Sequence, residues 1–374
     1  TMKIVYCIRG LYNSGGMERV LANKVNWLVE RGWDVNIVTT DQKGRGAFFQ
    51  LDPRIDVYDL GVNYEDTNGS SFLYKCLRYP FKLLQHKRRL KQLLHKLKAD
   101  ISISMFCNDA SFLWKINDGS KKILEIHFSR YKRLQYDRKG IWRIADIIRS
   151  KNDRSIAKKY DKFVVLTNED KDYWGTMDNI MTIPNARSFR FESPASLDGK
   201  LVIAVGRYSY QKGYDRLLRA WKQVSAALPD AELHVVGEGE LRDELLDLVE
   251  SLGISESVRL GKATKNIEQV YLEASLLVMT SHYEGLPMVL LEAQAAGLPI
   301  VSFNCKCGPK DVIEHGESGY LIENGDIDRL AKGIIEILSN DSLRKSMGRK
   351  AFCNSENYDE RIIMEKWVNM FETI

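Results

Sequence analysis

Glu284 and Glu292, two carboxylates eight positions apart, bracket a helix start in the run His282-Tyr283-Glu284-Gly285-Leu286-Pro287-Met288-Val289-Leu290-Leu291-Glu292. Gly285 and Pro287 suit a loop and a first helical position, and Met288 to Ala296 reads as an apolar helix closed by Gly297 and Pro299. Backbone N–H groups at a helix start attract phosphate oxygens, whereas carboxylates accept hydrogen bonds from hydroxyls and repel a phosphate that faces them. A ligand carrying both group types, such as a sugar nucleotide, satisfies the segment. By itself the segment is equally an ordinary helix with a proline entry and a solvated Glu292.

A second element adds cations. Leu201 to Val205 is a short apolar run that reads as a buried strand, followed by Gly206-Arg207, a short loop, Lys212-Gly213 and the helical spacing of Leu217, Leu218 and Trp221. Arginine offers a planar fork of donors and lysine a mobile point charge, so a strand, a glycine turn and these two cations can cradle a diphosphate.

In this order and spacing, the two elements resemble the retaining glycosyltransferases of the GT4 type, which have the two-domain GT-B fold. Further matching pieces are Ser14-Gly15-Gly16-Met17-Glu18-Arg19, Ile183-Pro184-Asn185, Val236-Gly237-Glu238-Gly239 and Gly316-Glu317-Ser318-Gly319-Tyr320-Leu321. The resemblance extends over nearly the whole chain.

The resemblance implies roles at matching positions. Arg207 and Lys212, beside Gly206, would clamp a donor diphosphate and stabilise its growing charge as the glycosidic bond breaks. Glu292 would accept hydrogen bonds from ribose hydroxyls, and Glu284 would hold hydroxyls of the transferred sugar with help from the backbone of Gly285 and Leu286. The base would lie near Lys262. Gly15 and Gly16 would bring backbone close to the donor phosphate or the acceptor, where no side chain blocks the approach. His127, at the end of a strand, resembles the family's cleft histidine, with a hydrogen bond to the donor sugar or phosphate as its role. The family lacks an evident carboxylate nucleophile, so none is named, and the donor's anomeric configuration is expected to be kept.

These residues need a scaffold, and the alternation of strand and helix patterns along the chain supplies one: α/β, with two facing Rossmann-like domains and an interdomain cleft. Strands are expected at Lys3–Ile8, Val35–Thr39, Ile101–Met105, Lys122–Ile126 and Phe163–Leu166, with a helix over Val20–Val29. The second half repeats the pattern near 201–205, 232–236, 258–260, 276–280 and 299–303. The expected division is an acceptor-side domain over 1–190, a linker over 191–199, a nucleotide-sugar donor domain over 200–354, and a terminal segment over 355–374 whose helix crosses back to the first domain.

Composition narrows the classes. At 374 residues and 44% hydrophobic content the chain can bury two cores. Six scattered cysteines form no disulfide framework, and Cys305-Lys306-Cys307 lacks the spacing of a zinc site, so no metal is expected and the two cations are read as doing a metal's work. Gly10, Gly15 and Gly16 do not follow a dinucleotide fingerprint, which disfavours hydride chemistry. A net charge of +5 is mild for the size and gives no reason for a nucleic-acid partner. No apolar run approaches a membrane span and the start lacks a signal-peptide pattern, so a cytoplasmic location is expected.

The expected activity is transfer of a hexose or N-acetylhexosamine from a nucleoside diphosphate sugar, with UDP as the expected nucleotide, and no other cofactor. The expected acceptor is a glycan or lipid-linked glycan, because Cys305 to Asp311 resembles the subgroup that builds bacterial polysaccharides and lipid-linked oligosaccharides. A sugar-nucleotide epimerase on the same scaffold and a non-catalytic sugar-nucleotide binder remain open at this point. Finally, nine basic residues and no acid lie between Tyr74 and Lys98, with Leu83, Leu90, Leu94 and Leu97 on one stripe. That stripe is expected to pack on the first sheet, leaving a basic face able to dock peripherally on an anionic membrane.

Overall fold

The computed structural model describes residues 2–67, 72–135 and 139–374. Strands β1 (Lys3–Cys7), β2 (Asp34–Thr39), β3 (Asp56–Asp59), β4 (Ile101–Ser104), β5 (Lys121–Glu125), β6 (Lys162–Val165) and β7 (Ile180–Thr182) form one sheet in the order β3-β2-β1-β4-β5-β6-β7. Strands β8 (Leu201–Val205), β9 (Glu232–Val236), β10 (Val258–Gly261), β11 (Leu276–Met279), β12 (Ile300–Phe303) and β13 (Gly319–Ile322) form the other in the order β10-β9-β8-β11-β12-β13. Every pairing is parallel. Parallel strands covered by helices on both faces read as continuous apolar runs, which is why the central strands are visible in the sequence.

The three strands that patterning missed are the ones that break this rule. β3 is an exposed edge carrying Asp56 and Asp59, β7 has three half-buried residues, and β13 opens at Gly319. Gly319 has φ +155°, and a Cβ there would lie 2.0 Å from the Ile300 carbonyl oxygen, so the strand can begin only with glycine.

In each sheet the strand order reverses direction next to the first strand, between β1 and β4 and between β8 and β11. Loops leaving the carboxyl ends of strands at such a switch point splay apart and leave a crevice. The glycine loop before the Gly16–Glu30 helix leaves β1, the Gly206–Gly213 loop leaves β8, and the Thr280–Pro287 loop leaves β11. The topology therefore delivers the singled-out residues to one end of each sheet.

The helix after Pro287 runs Met288–Ala295, with Pro287 as its N-cap in extended conformation rather than as its first turn. Residues 191–199 have no regular structure, yet they pack: Ala195 and Leu197 are buried against the second half, and the Ala195 N–H donates to the Ala296 carbonyl at 2.8 Å. The terminal helix Glu360–Thr373 places Ile363, Met364, Trp367, Met370 and Phe371 in the core of the first sheet with Ile4, Tyr6 and Leu21. Its entry is fixed by Arg187, which donates to Ser355 Oγ at 2.6 Å and to the carboxylates of Glu356 and Asp359 at 3.0 Å.

Candidate active site

Backbone sterics shape the donor side of the crevice first. A Cβ on Gly237 would lie 1.9 Å from the Gly206 carbonyl oxygen, so the turns after β8 and β9 can nest only because residue 237 is glycine. The 206–213 loop is then stitched to the loop after β11. Thr280 Oγ1 donates to the Lys212 carbonyl at 3.0 Å, the His282 N–H to the Gln211 carbonyl at 2.8 Å, and Gln211 Nε2 to the Tyr283 carbonyl at 3.1 Å. The Tyr210 and His282 rings stack at 4.3 Å.

This stitching brings Lys212 Nζ to 2.7 Å from Glu284 Oε1, with both side chains largely buried. Arg207 is exposed at the head of the same loop. The pair leaves Lys212 with further N–H donors and Glu284 with further lone pairs, so one cluster can meet phosphate and hydroxyl groups together. The Leu286 side chain is buried in the hydrophobic core, which leaves only its backbone to a ligand. Lys262 is exposed just past the end of β10.

Glu292 differs from the solvated carboxylate that its helix pattern also allowed. It is 2% exposed, its Oε1 accepts from Arg19 Nη1 at 2.8 Å and its Oε2 accepts from the Tyr271 hydroxyl at 2.7 Å. Arg19 belongs to the helix after the Gly15-Gly16 loop, so the bridge joins the two halves of the molecule. Neither Arg19 nor its neighbour Glu18 was given a role by sequence reasoning, although both lie in the quoted Ser14–Arg19 motif. Glu18 is buried, and burial raises its carboxyl, opposed by a hydrogen bond from Asn13 and by the charges of Arg207 and His127. Arg207 from the second half and His127 from the first thus both stand near Glu18 at the crevice.

Neither Gly15 nor Gly16 has a positive φ, so the backbone does not itself demand glycine there, and the space in front of Gly16 is open. Gly285 is more constrained: a Cβ there would lie 2.6 Å from the His127 carbonyl oxygen and 3.0 Å from the Phe128 Cα. Backbone from the two halves meets at that point. Further contacts tie the halves together around it, including the Cys307 N–H to Glu169 Oε2 at 3.1 Å and Lys310 Nζ to Glu169 Oε1 at 3.2 Å. Arg207, Lys212, Glu284, Gly285, Glu292 and His127 are therefore gathered around one crevice, with the Gly15-Gly16 loop on its first-sheet side.

Two family models divide the chain. Glycosyltransferase Family 4 matches residues 14–187, and Glycosyl transferases group 1 matches residues 185–352. An uncharacterized glycosyltransferase of Haemophilus influenzae is 31% identical over 98% of both chains. The GalNAc-alpha-(1->4)-GalNAc-alpha-(1->3)-diNAcBac-PP-undecaprenol alpha-1,4-N-acetyl-D-galactosaminyltransferase of Campylobacter jejuni is 28% identical over 100% of this chain and 99% of its own. In structure, a mutant of S. aureus TarM in complex with Fondaparinux, alpha-GlcNAc-glycerol and UDP superposes with a TM-score of 0.79 at 21% identity, covering 99% of this chain and 100% of that one.

Proposed function

The chain belongs to the group 1, family 4 glycosyltransferases, and on that premise we propose that it transfers a hexose or N-acetylhexosamine from UDP to a glycan or lipid-linked glycan. The observation that carries the reading is the Lys212–Glu284 pair at 2.7 Å beside Arg207, a cluster that serves phosphate and sugar hydroxyls together.

In the proposed reaction the bond between the sugar's anomeric carbon and the diphosphate oxygen breaks as the acceptor oxygen bonds to that carbon on the same face. The acceptor's hydroxyl proton passes to the departing phosphate oxygen, and the anomeric configuration is kept. Arg207 and Lys212 stabilise the charge that accumulates on the diphosphate, work that a metal ion does elsewhere, so the reaction is read as metal-independent. Glu284 holds sugar hydroxyls. Glu292, already anchored by Tyr271 and Arg19, offers its remaining lone pairs to the ribose.

Two relatives support the acceptor class through their printed names, one acting on an undecaprenol-linked glycan and one on poly(ribitol-phosphate). The surface supports peripheral association with an anionic membrane. In the Phe72–Leu97 helix, Leu90 and Leu94 pack on the core as expected, but a second stripe, Leu77, Phe81 and Leu84, is 66–70% exposed. Arg78, Lys87, Arg88 and Lys91 flank it; the Lys75 side chain lies outside the described residues. Ile144 and Ile148, early in the Ile141–Ala157 helix, are 60% and 61% exposed. Arg89 is not part of the basic face, because it donates to the Leu60 and Gly61 carbonyls. Among the described residues no helix is long and apolar enough to cross a membrane.

The test is a panel of nucleotide sugars. UDP and one UDP-sugar should raise the melting temperature, since a ligand bound only by the folded state stabilises it, and the product should show the donor's anomeric coupling by NMR. Stabilisation by another nucleotide alone, an inverted product, or activity lost to a chelator and restored by magnesium would each overturn the corresponding part. Sedimentation with anionic but not neutral vesicles, weakened by salt, tests the membrane reading.

A further inference from the structure

Glu125 closes β5 with none of its surface exposed, and no step above uses it. Its Oε1 is shared by two groups. Lys24 Nζ, from the Gly16–Glu30 helix, donates to it, and His127 Nε2 lies 2.8 Å away in a short but bent contact. Lys24 is 5% exposed, and its ammonium stands 3.6 Å from the centroid of Trp367 on the terminal helix. Glu18, on the same helix as Lys24, also stands close enough to His127 to feel its charge.

Packing alone is a poor account of this triad. A buried ion pair adds little net stability over apolar side chains of similar volume, because both charges must be desolvated. It also leaves unexplained why the third member is the histidine whose carbonyl stands against Gly285, where the two halves of the molecule meet.

We propose that Glu125, with Lys24 as its counter-ion, is a positioning residue that fixes the tautomer of His127 so that the ring meets a hydroxyl of the donor sugar. The assignment rests on the glycosyltransferase reading above. Between the two neutral tautomers of the imidazole, an anion at Nε2 favours the one that keeps its proton there, which leaves Nδ1 as a lone-pair acceptor. An acceptor nitrogen pairs with a hydroxyl and repels a phosphate oxygen, so the triad decides between the two ligand groups open to His127. Lys24 keeps the device charged: burial by itself raises the Glu125 carboxyl, and Lys24 and His127 outweigh burial and bring it down to about 2.

Glu125→Gln tests this through a tautomer reversal. The amide has one acceptor oxygen, and the Lys24 ammonium, which has only donors, claims it. The amide NH₂ then faces His127, Nε2 must accept, and the proton moves to Nδ1, where it confronts a hydroxyl with the wrong partner. The kcat should fall roughly tenfold to a hundredfold, the scale of one mispaired hydrogen bond, while UDP, which lacks the transferred sugar, binds as before. Adding Lys24→Met removes the competing donor and lets the amide oxygen turn to Nε2, so the double variant should recover most of the lost kcat. A packing role predicts the reverse, with the double variant worse than the single one.

Histidine-labelled wild-type protein gives a reading that needs no activity. The ¹⁵N spectrum, with His127 assigned from its loss in His127→Asn, should show a protonated Nε2 and an unprotonated Nδ1. The opposite tautomer, wild-type kcat in Glu125→Gln, or a double variant no better than the single one would overturn the assignment. If Glu125→Gln does not fold, the double variant, in which neither charge is left buried alone, and the wild-type spectrum decide. If the wild type transfers sugar from no nucleotide donor, the functional reading fails, and the spectrum still decides the role of Glu125.

Discussion

In the second half of the molecule, the side chains at the crevice come from two short segments, 206–213 and 282–292, each following directly on a strand. In the first half the crevice histidine is held by Glu125, and Glu125 by Lys24, a residue 101 positions earlier on a different element. The two sheets share the same switch-point arrangement, so topology does not account for the difference. What differs is how each half presents polarity. The donor side carries its cations on a glycine turn, Arg207 exposed and Lys212 partly buried, whereas the first side holds its histidine through charges buried beneath its sheet end. Local chemistry of the first kind leaves a motif; charge pairing across elements leaves isolated letters.

The sharpest way to break this contrast is at the donor cations. Arg207→Ala or Lys212→Ala should lower kcat by a factor on the order of 10² or more, because each removes a preorganised charge from a developing diphosphate. Lys212→Ala should also lower the melting temperature, since it leaves Glu284 without its 2.7 Å partner. Steady-state kinetics and a thermal melt separate the two effects, and wild-type turnover in both variants would end the diphosphate assignment.

The junction of the two halves comes next. A methyl on Gly285 cannot be accommodated 2.6 Å from the His127 carbonyl, so Gly285→Ala should push the halves apart. Misplacement of reacting groups approaching 1 Å costs about 10²-fold in rate, and an expected shift of a few tenths of that places the loss nearer tenfold. The fold should survive, as a circular dichroism melt would show. Unchanged kcat would mean that the halves do not need this contact during transfer.

A gentler effect probes the buried charge of the first half. Burial raises the Asp109 carboxyl to about 7, against ~3.9 for an unfolded aspartate. Between those values the folded chain holds a proton that the unfolded chain has released, so this group makes stability fall as pH rises from about 4 to about 7. Asp109→Asn should flatten that fall, read from denaturant midpoints across the range. Glu125 has the opposite sign: held at about 2, it contributes stability that is lost as the pH drops through the carboxylate range towards that value.

The smallest change concerns the bridge between halves. Arg19 is 31% exposed, and partly exposed ion pairs contribute at most about 1 kcal/mol, so Arg19→Met should leave the melting temperature nearly unchanged. It should alter the donor KM by a few-fold at most through the orientation of Glu292, since Tyr271 still holds the other oxygen. A large loss of kcat instead would place Arg19 on the ligand.

The legibility of the sequence follows the same division. Central strands such as Leu201–Val205 and Leu276–Met279 were readable because burial on both faces demands unbroken apolar runs, while β3, with its exposed aspartates, was not. Gly206, Arg207 and Lys212 were readable as a group because one strand-to-helix turn fixes their spacing, and Glu284 and Glu292 because a second such turn, after β11, fixes theirs. Glu18 and Arg19 were quoted within a motif but given no task, since the faces they meet belong to the other half. The exposed stripe of Leu77, Phe81 and Leu84 was hidden by a sequence in which both apolar faces of one helix look alike.

By itself the sequence determined two alternating α/β halves, the glycine turns at their switch points and the cations and carboxylates those turns carry, because these depend on periodicity and on contacts within a few residues. Only the tertiary structure decided that Lys212 pairs with Glu284, that Glu292 is spanned by Tyr271 and Arg19, and that Lys24, Glu125 and His127 form one buried line. The physical reason is that a charge buried far from water is tolerated only beside its partner, and which residue becomes that partner is set by how the strands and helices pack, not by their spacing in the chain.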